Sequence, residues 1–313
     1  MAIMKVKETL KNQNISAIQK RHFWMFDVAN VALIVLLLPL ALKFNYTYFD
    51  FLLFTFMWLL SCIGVEIGYH RYFSHNSFKT NKYVESLLAI LGALSAQGPS
   101  VTWAATHRHH HKYSDKEGDS HSPHVNPKNR EGKLYRFFHA HLLWKYEYAF
   151  PNPFLFTRTL TKNSRLKTIT KYYYLWVALG VIIPAIISGI YFGTLAGVFK
   201  GFYLAGLMRI SFCQHLTWSI NSITHIVGTR PNKTTDQSRN IGPLFFLTLG
   251  GSWHNNHHAY PSSASNQRKF WQLDPGYWLI LVFEKLGLVW EVNKIESDNQ
   301  IKNIQSSEYL TTI

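Results

Sequence analysis

The sequence predicts an all-α integral membrane protein with one domain over residues 1–313, four transmembrane helices and a cytosolic helical cap. Three observations predict this fold. Four apolar segments are long enough to cross a bilayer, positive charge is confined to one side of them, and histidines gather at segment ends on that same side.

The four apolar segments cover residues 23–44, 48–69, 172–192 and 198–223. A helix needs about 20 apolar residues to cross the bilayer core, and aromatic residues at segment ends are typical of membrane interfaces. Buried helices of a large soluble protein explain four such segments poorly. A shorter run, residues 84–96, is expected at the interface or partly re-entrant. No signal-peptide cleavage pattern precedes the first segment.

The charge distribution follows the predicted topology. The formal net charge is +15, and basic residues precede the first segment, follow the second (Arg71 among them) and follow the fourth, whereas the short loops 43–47 and 193–197 hold only Lys43. The positive-inside rule then places both termini on the cytoplasmic side of the membrane. We interpret this membrane as a bacterial inner membrane. Anionic lipid or an acidic partner suits this charge, and nucleic acid does not. Cys62 and Cys213 lie in apolar segments, so no disulfide is expected.

Nine of the 16 histidines lie at or near segment ends on the predicted cytosolic side. They occur in HRYFSH (70–75), HRHHH (107–111), NSITH and HNNHH (254–258), as His70, His75, His107, His110, His111, His225, His254, His257 and His258. Helical positions i+3 and i+4 lie about 60° and 40° from position i, so each HxxHH triplet can face a shared cavity. Imidazoles bind iron, zinc, copper or nickel, and nine ligands suit two ions.

The other histidines carry weaker signals. His109 lies off the ligand face, so we expect it to be solvated or to stand behind the ligands. His22, His121, His124, His139 and His215 show no partner pattern and receive no role.

The three histidine motifs resemble the histidine boxes of membrane fatty acid desaturases, which include Δ9 acyl-CoA and acyl-lipid desaturases. The flanks QGPSVTWAATHRHHHKYSDKEGD, INSITHIVGTRP and WQLDP extend the resemblance over about residues 56–292, and bacterial acyl-lipid members look most similar. The resemblance implies two irons held by the nine histidines, with Asn221 reaching a metal through water. It also implies O2 as co-substrate and two electrons from a separate donor, such as a ferredoxin or cytochrome b5 with its reductase.

The implied reaction places a cis double bond, at Δ9, in a saturated C16–C18 acyl chain. Trp103 and His141 are the implied substrate contacts, with His141 near the headgroup side. Relatives that use acyl-CoA carry Arg-Asp where this chain has Ala105 and Thr106, which favours an acyl group on phospholipid over CoA or acyl carrier protein. Phe54 and Trp58 are expected to close the far end of the tunnel, with ordinary aromatic packing as the alternative.

One departure from the family concerns a carboxylate. The family has glutamate where this chain has Gly251, and Glu66 lies one helical turn before His70. We therefore expect Glu66 to supply the carboxylate that orients a ligand histidine from behind. A carboxylate that reaches for water at the membrane edge is the alternative.

Rival functions differ in how well they fit the histidines. A hydroxylase, ketolase or acetylenase on the same two-iron scaffold would use the same ligands. A membrane metal transporter would place its ligands at the bilayer midplane, whereas these lie to one side. A metalloprotease is excluded because the chain contains no HExxH.

Overall fold

The computed structural model describes residues 7–125, 132–146 and 148–294, and these are mostly helical. Four helices are long and apolar enough to cross a membrane, which confirms the predicted class: Gln13–Ala41, Tyr48–Ser74, Tyr173–Phe192 and Leu195–His225, here spans 1 to 4. The predicted ends differ. Span 1 begins well before residue 23, and spans 2 and 4 continue past the predicted ends, so that His70 and His225 lie inside the membrane-spanning helices.

The α-helices, numbered in chain order, are α1 Gln13–His22, α2 Ala29–Ala41, α3 Tyr48–Cys62, α4 Lys82–Ala93, α5 Ser100–Tyr113, α6 Lys133–His141, α7 Pro153–Phe156, α8 Arg158–Lys162, α9 Ser164–Lys171, α10 Tyr173–Phe192, α11 Leu195–Lys200, α12 Arg209–Ser222, α13 His254–Ala259 and α14 Pro275–Lys285. Three π-helical segments, in which backbone hydrogen bonds join residues five apart, complete spans 1, 2 and 4: Phe23–Val28, Ile63–Ser74 and Gly201–Met208. Short 3₁₀ turns cover Leu143–Lys145, Ile223–His225 and Gly242–Leu244.

Local sequence determines where several of these helices begin and end. A capping box of Thr47 and Asp50 begins α3, and the Asn81 side chain accepts two backbone N–H groups at the start of α4. Such caps satisfy donors that have no partner within the helix. Gly193 ends α10 with a φ of 63°, a left-handed conformation that glycine adopts without strain.

Helix α4 accounts for most of the apolar run at 84–96 and lies against the π-helical part of span 2. Their contact is close, because a Cβ on Gly64 would lie 2.0 Å from the Gly92 nitrogen. A core of buried apolar side chains surrounds this contact and includes Ile67, Tyr69, Phe73, Leu88 and Ile280. The contact fixes span 2 relative to the cap. The membrane position of α4 stays a prediction.

Two antiparallel pairs of two-residue strands attach the ends of the described chain to the cap. Strand β1 (Thr9–Leu10) pairs with β3 (Phe150–Pro151), and β2 (Lys79–Thr80) pairs with β4 (Val289–Trp290).

Arg71 is not a surface charge on the cytosolic side. The residue is 1% exposed, and its side chain donates hydrogen bonds to Glu66 and Asp274 inside the protein. Its inclusion among the topology-determining charges was therefore wrong.

Candidate metal centre and cavity

The structure brings the nine sequence-predicted histidines together in two adjacent groups. Within each group the ring nitrogens that point inward all lie within 4.8 Å of one another. Site one consists of His70, His75, His107, His111 and His257. Site two consists of His110, His225, His254 and His258.

Each HxxHH motif is divided between the two sites. In α5, His107 and His111 belong to site one and His110 to site two; in α13, His254 and His258 belong to site two and His257 to site one. Positions i and i+4 diverge by only about 40° on a helix, whereas i+3 lies about 60° to the other side. The i,i+4 pair therefore shares one site, and the remaining histidine faces the other.

A π-helical turn brings the HxxxxH pair into one site. The His75 N–H donates to the His70 carbonyl at 3.2 Å, a bond between residues five apart. The two imidazole centroids are consequently 5.0 Å apart. On a regular α-helix, residues five apart diverge by about 140° and would not share a site.

Four of the histidines donate their Nδ1–H groups to carboxylates. His70 bonds to Glu66 at 3.1 Å, His110 to Asp119 at 3.0 Å, His225 to Asp115 at 2.8 Å and His258 to Asp236 at 2.8 Å. This arrangement leaves Nε2 with its lone pair directed into the site, as metal-binding imidazoles require.

The three aspartates were not assigned from sequence. Asp115 and Asp119 lie within eight residues of the second box, in the flank KYSDKEGD, so their proximity was a usable signal. Asp236 lies in the loop before Ser238 and had no local signal. Burial alone would raise the pKa of Asp236, but hydrogen bonds from His258 and Ser238 hold it well below its usual value.

This environment keeps several of the histidines neutral. Burial, followed by repulsion from neighbouring imidazoles, holds the pKa of His107, His111 and His257 well below the usual value. Burial likewise lowers the pKa of His258 to about 4, although Asp236 acts in the opposite direction. Neutral imidazoles are the form that binds metal.

The nitrogen geometry suits an ion such as iron. In site one the Nε2 atoms of His75 and His107 are 2.8 Å apart, and those of His70 and His257 are 2.9 Å apart. The Nε2 atom of His111 lies 3.0 Å from Nε2 of His107 and 3.0 Å from Nε2 of His257. Ligands about 2.1 Å from an ion are about 3.0 Å apart at right angles and about 3.4 Å apart in a tetrahedron. The separations therefore favour octahedral angles over tetrahedral ones.

Site two has unsatisfied nitrogens. Nε2 of His110 and Nε2 of His258 are buried without a hydrogen-bond partner among the described residues. Buried polar atoms without partners are costly, and a metal ion would satisfy both. Both sites thus fit the ions that the sequence motifs imply.

Two cavities meet beside the metal sites. Cavity one extends from His70, His107, His110 and His254 to Ser61, Cys62 and Cys213, between spans 2 and 4. Cavity two is lined by α1, the start of α5 and the Trp144 region. The residues lining both are Gln97, Trp103, His107, Thr217 and Asn221.

The junction between the cavities is built from specific contacts. The Gln97 amide donates to the Thr217 hydroxyl at 3.0 Å. Trp103 stacks on His107, with centroids 5.1 Å apart and planes 17° apart. The Asn221 side chain lines the junction and has no hydrogen bond to any residue that the structure describes.

The remaining expected substrate residues lie away from the cavity walls. Trp58 is buried against Phe212 and Phe246, one turn before Cys62. Phe54 lies one turn before Trp58 and also contacts Phe212. His141 bonds through Nδ1 to Ser222 and through Nε2 to His215, each at 3.0 Å, and is not among the lining residues of either cavity.

The structure also places two histidines that the sequence left open. His109 is 3% exposed and packs against Tyr113 and Phe156, so it is not solvated. His121 lines cavity two beside Trp144 and stacks on His110 at 4.3 Å. Sequence reading gave His121 no role because no partner spacing marks it.

Comparison with known proteins agrees with this geometry. The family model described as fatty acid desaturase matches residues 44–287. The chain belongs to the fatty acid desaturase family. It is therefore an oxidoreductase, the family implies iron-dependent catalysis, and the relatives imply fatty acyl substrates. The four apolar helices indicate a membrane protein.

Three relatives illustrate the range of the family. The chain is 39% identical over 289 residues to a hex-5-enoyl-[acyl-carrier protein] acetylenase of Moorena producens, covering 91% of this chain and 89% of that one. It is 33% identical to Delta-9 acyl-lipid desaturase 2 of Arabidopsis thaliana, over 85% and 80% of the two chains. It is 32% identical to an sn-2 palmitoyl-lipid 9-desaturase of Nostoc sp., over 75% and 78%.

Proposed function

We propose that this desaturase-family protein uses O2 to introduce a cis double bond, at Δ9, into saturated C16–C18 acyl chains. The acyl group is esterified to phospholipid or carried on CoA or acyl carrier protein, and the acyl-lipid relatives favour the lipid ester. One observation carries the proposal. Histidines of both sites line the same end of a cavity whose wall is otherwise largely apolar.

Each site would hold one iron through its histidine Nε2 atoms, and Asn221 would reach a metal through water. When bound, the irons supply an O2-derived oxidant strong enough to remove hydrogen from an unactivated methylene, which no side chain can do. In sum, the acyl chain loses two hydrogens while O2 takes up these, two external electrons and two protons, and two waters form.

The protein's own residues would position the substrate. The apolar walls of cavity one keep the chain dry, and a dry site prevents side reactions. The contacts at Gln97, Thr217 and Trp103 would hold a bend in the chain where the cavities meet. Holding one carbon pair beside the metals accounts for a single reaction position, and a bent chain favours the cis product.

The depth of cavity one supports a long acyl chain. Cys62 precedes His70 by eight residues, which is at most about 12 Å at 1.5 Å per residue. An extended chain advances about 1.25 Å per carbon, so at most about nine carbons fit beyond the metals. A C16–C18 chain that reacts at carbon 9 requires about seven to nine.

An acetylenase is the second candidate, supported by the 39% identical relative. The substrate in that relative's name is a six-carbon chain with its double bond at the methyl end. Such a substrate would leave cavity one almost empty beyond the metals. Desaturation therefore fits the cavity better, although the metal ligands would serve both reactions.

Electrons would come from a separate protein, a ferredoxin or a cytochrome b5 with its reductase. The net charge of +15 suits an acidic donor docking on the cytosolic face. In this proposal the metal sites and both termini face the cytoplasm. A contact between His141 and the acyl carrier also stays a prediction.

Expression in a host with a simple lipid profile tests the proposal. We expect new cis-Δ9 monounsaturated C16 and C18 chains, found by fatty acid analysis of each lipid headgroup and glycerol position. The variant His110→Ala should abolish them. A triple bond in short chains would favour the acetylenase, and a hydroxylated product would reject both.

A further inference from the structure

Glu66 is a carboxylate inside a membrane-spanning helix, where charges are rare and usually functional. Its side chain is 13% exposed. Its Oε1 atom accepts three hydrogen bonds, from Nδ1 of His70 at 3.1 Å and from Nε and Nη2 of Arg71 at 3.2 Å and 3.1 Å. A carboxylate reaching for water at the membrane edge would not be held this way.

Arg71 fixes Glu66 in place and connects it to the third histidine box. Its guanidinium also bonds to Asp274 at 2.9 Å and to the carbonyls of Leu249 and Ala264 at 3.1 Å and 2.6 Å. These partners belong to the segments on either side of α13, which carries His254, His257 and His258. The carboxylate, the guanidinium and the box thus form one rigid unit.

Gly251 lies against the same carboxylate. A Cβ atom at this position would be 3.0 Å from Oε2 of Glu66 and 3.2 Å from the Thr248 carbonyl. Its backbone needs no left-handed conformation, so neighbouring atoms rather than φ restrict the position. A longer side chain here would enter the volume that the Glu66 carboxylate occupies.

The two metal sites differ in how they are supported. Three of the four histidines in site two donate to aspartates, whereas in site one only His70 donates to a carboxylate among the described residues. Losing Glu66 would therefore remove all such support from site one.

We propose that Glu66 is the positioning carboxylate of site one, and that positions 66 and 251 share one carboxylate volume that only one of them can fill. Glu66 orients His70 so that its Nε2 faces the metal, and Gly251 leaves room for it. The inference rests on the proposed two-iron function, since it concerns how tightly site one holds its ion.

The test uses purified full-length protein loaded anaerobically with Fe²⁺, and measures iron per chain and the rate of iron release to a chelator. Wild type should hold two irons. Glu66→Ala should release one of them about 10- to 100-fold faster, the usual effect of removing such a partner. Gly251→Asp alone should also weaken site one, because two carboxylates then compete for one volume.

The double variant Glu66→Ala/Gly251→Asp is the decisive one. In this variant the side chain of residue 251 carries the carboxylate, and its Cβ lies beside the volume that the Glu66 carboxylate fills in the wild type. Both irons should therefore be released slowly again. A merely structural role for Glu66 predicts no such rescue. Either failure of rescue in the double variant, or release of both irons from Glu66→Ala at the wild-type rate, would overturn the inference.

Controls separate this inference from the proposed function. Glu85→Gln removes another buried carboxylate, held by Tyr72, Asn163 and Arg165, and should leave iron release unchanged. Asp236→Asn should weaken site two instead. If Glu66→Ala does not fold, Glu66→Gln is used instead. Glutamine keeps the shape of the side chain but not its charge, and an unchanged rate of iron release would contradict the inference. A wild-type protein that cannot hold two irons would reject the proposed function itself.

Discussion

Trp58 offers a direct test of what ends cavity one. Ser61, Cys62 and Cys213 line cavity one. The Trp58 indole lies one turn before Cys62 in span 2, with its centroid 6.4 Å from that of Phe212 and 6.1 Å from that of Phe246. Phe212 and Phe246 each precede a lining residue, Cys213 and Leu247. We therefore predict that the indole closes the end of cavity one from behind its lining residues.

Trp58→Ala should deepen the cavity by about one helical turn, or about 6 Å for four residues. At about 1.25 Å per carbon, this admits four to five additional methylene groups. The accepted chain should therefore lengthen from C16–C18 towards C20–C22. Removing a buried tryptophan also costs about 3–5 kcal/mol of folding stability, so Trp58→Leu serves as a milder second variant.

The assay supplies saturated C16 to C22 chains to cells that express each variant, and measures the chain lengths of the unsaturated products. Phe54→Ala is the matched control, because Phe54 lies a further turn from the cavity and should change nothing while Trp58 remains. A folded, iron-loaded Trp58→Ala protein with the wild-type product profile would refute the reasoning. Aromatic packing would then be the only role of Trp58.

Three further predictions concern the metal sites and the junction. Asp115→Asn should weaken iron binding at site two by about 10- to 100-fold, measured by chelator competition, and unchanged affinity would show that His225 needs no carboxylate. Gln97→Leu removes the bond to Thr217, and we expect a lower rate and mixed double-bond positions, both visible in product analysis; a single unchanged position would contradict a role in bending the chain. The metal-free protein should lose stability as the pH falls below about 6.5, the usual pKa of histidine. In the folded protein the pKa values of the buried His107, His111 and His257 are lowered, so these histidines stay neutral. In the unfolded chain they bind protons, and this favours unfolding. Thermal unfolding between pH 8 and 5 measures this, and a constant midpoint would contradict it.

The spans could be predicted because apolar length is a property of sequence alone. Their ends could not be predicted. Span 1 includes the polar helix α1, and span 2 extends to Ser74, within the first histidine box. Arg71 illustrates the same limit. Charge counting assumes that a basic residue faces water, and only tertiary structure reveals a carboxylate partner such as Asp274.

The histidines could be predicted as a set that holds two ions, but their division between the two sites could not. Helical spacing predicts that His107, His110 and His111 lie on one side of α5. It does not say that a second site lies 60° further round the helix, because this depends on which helices pack opposite. The partners of His225 and His258 were also beyond sequence reasoning, since Asp115 and Asp236 are 110 and 22 residues away from them.

The π-helical segment of span 2 explains why HxxxxH works as a ligand motif here. Spacing of five is unfavourable on an α-helix, and composition does not distinguish an α-helical from a π-helical turn. The wider turn brings His70 and His75 into site one and keeps Glu66 beside His70. π-Helical turns are rare in proteins and are frequently found at functional sites. We therefore expect bound metal to stabilise this local helix type, which is part of the geometry of site one.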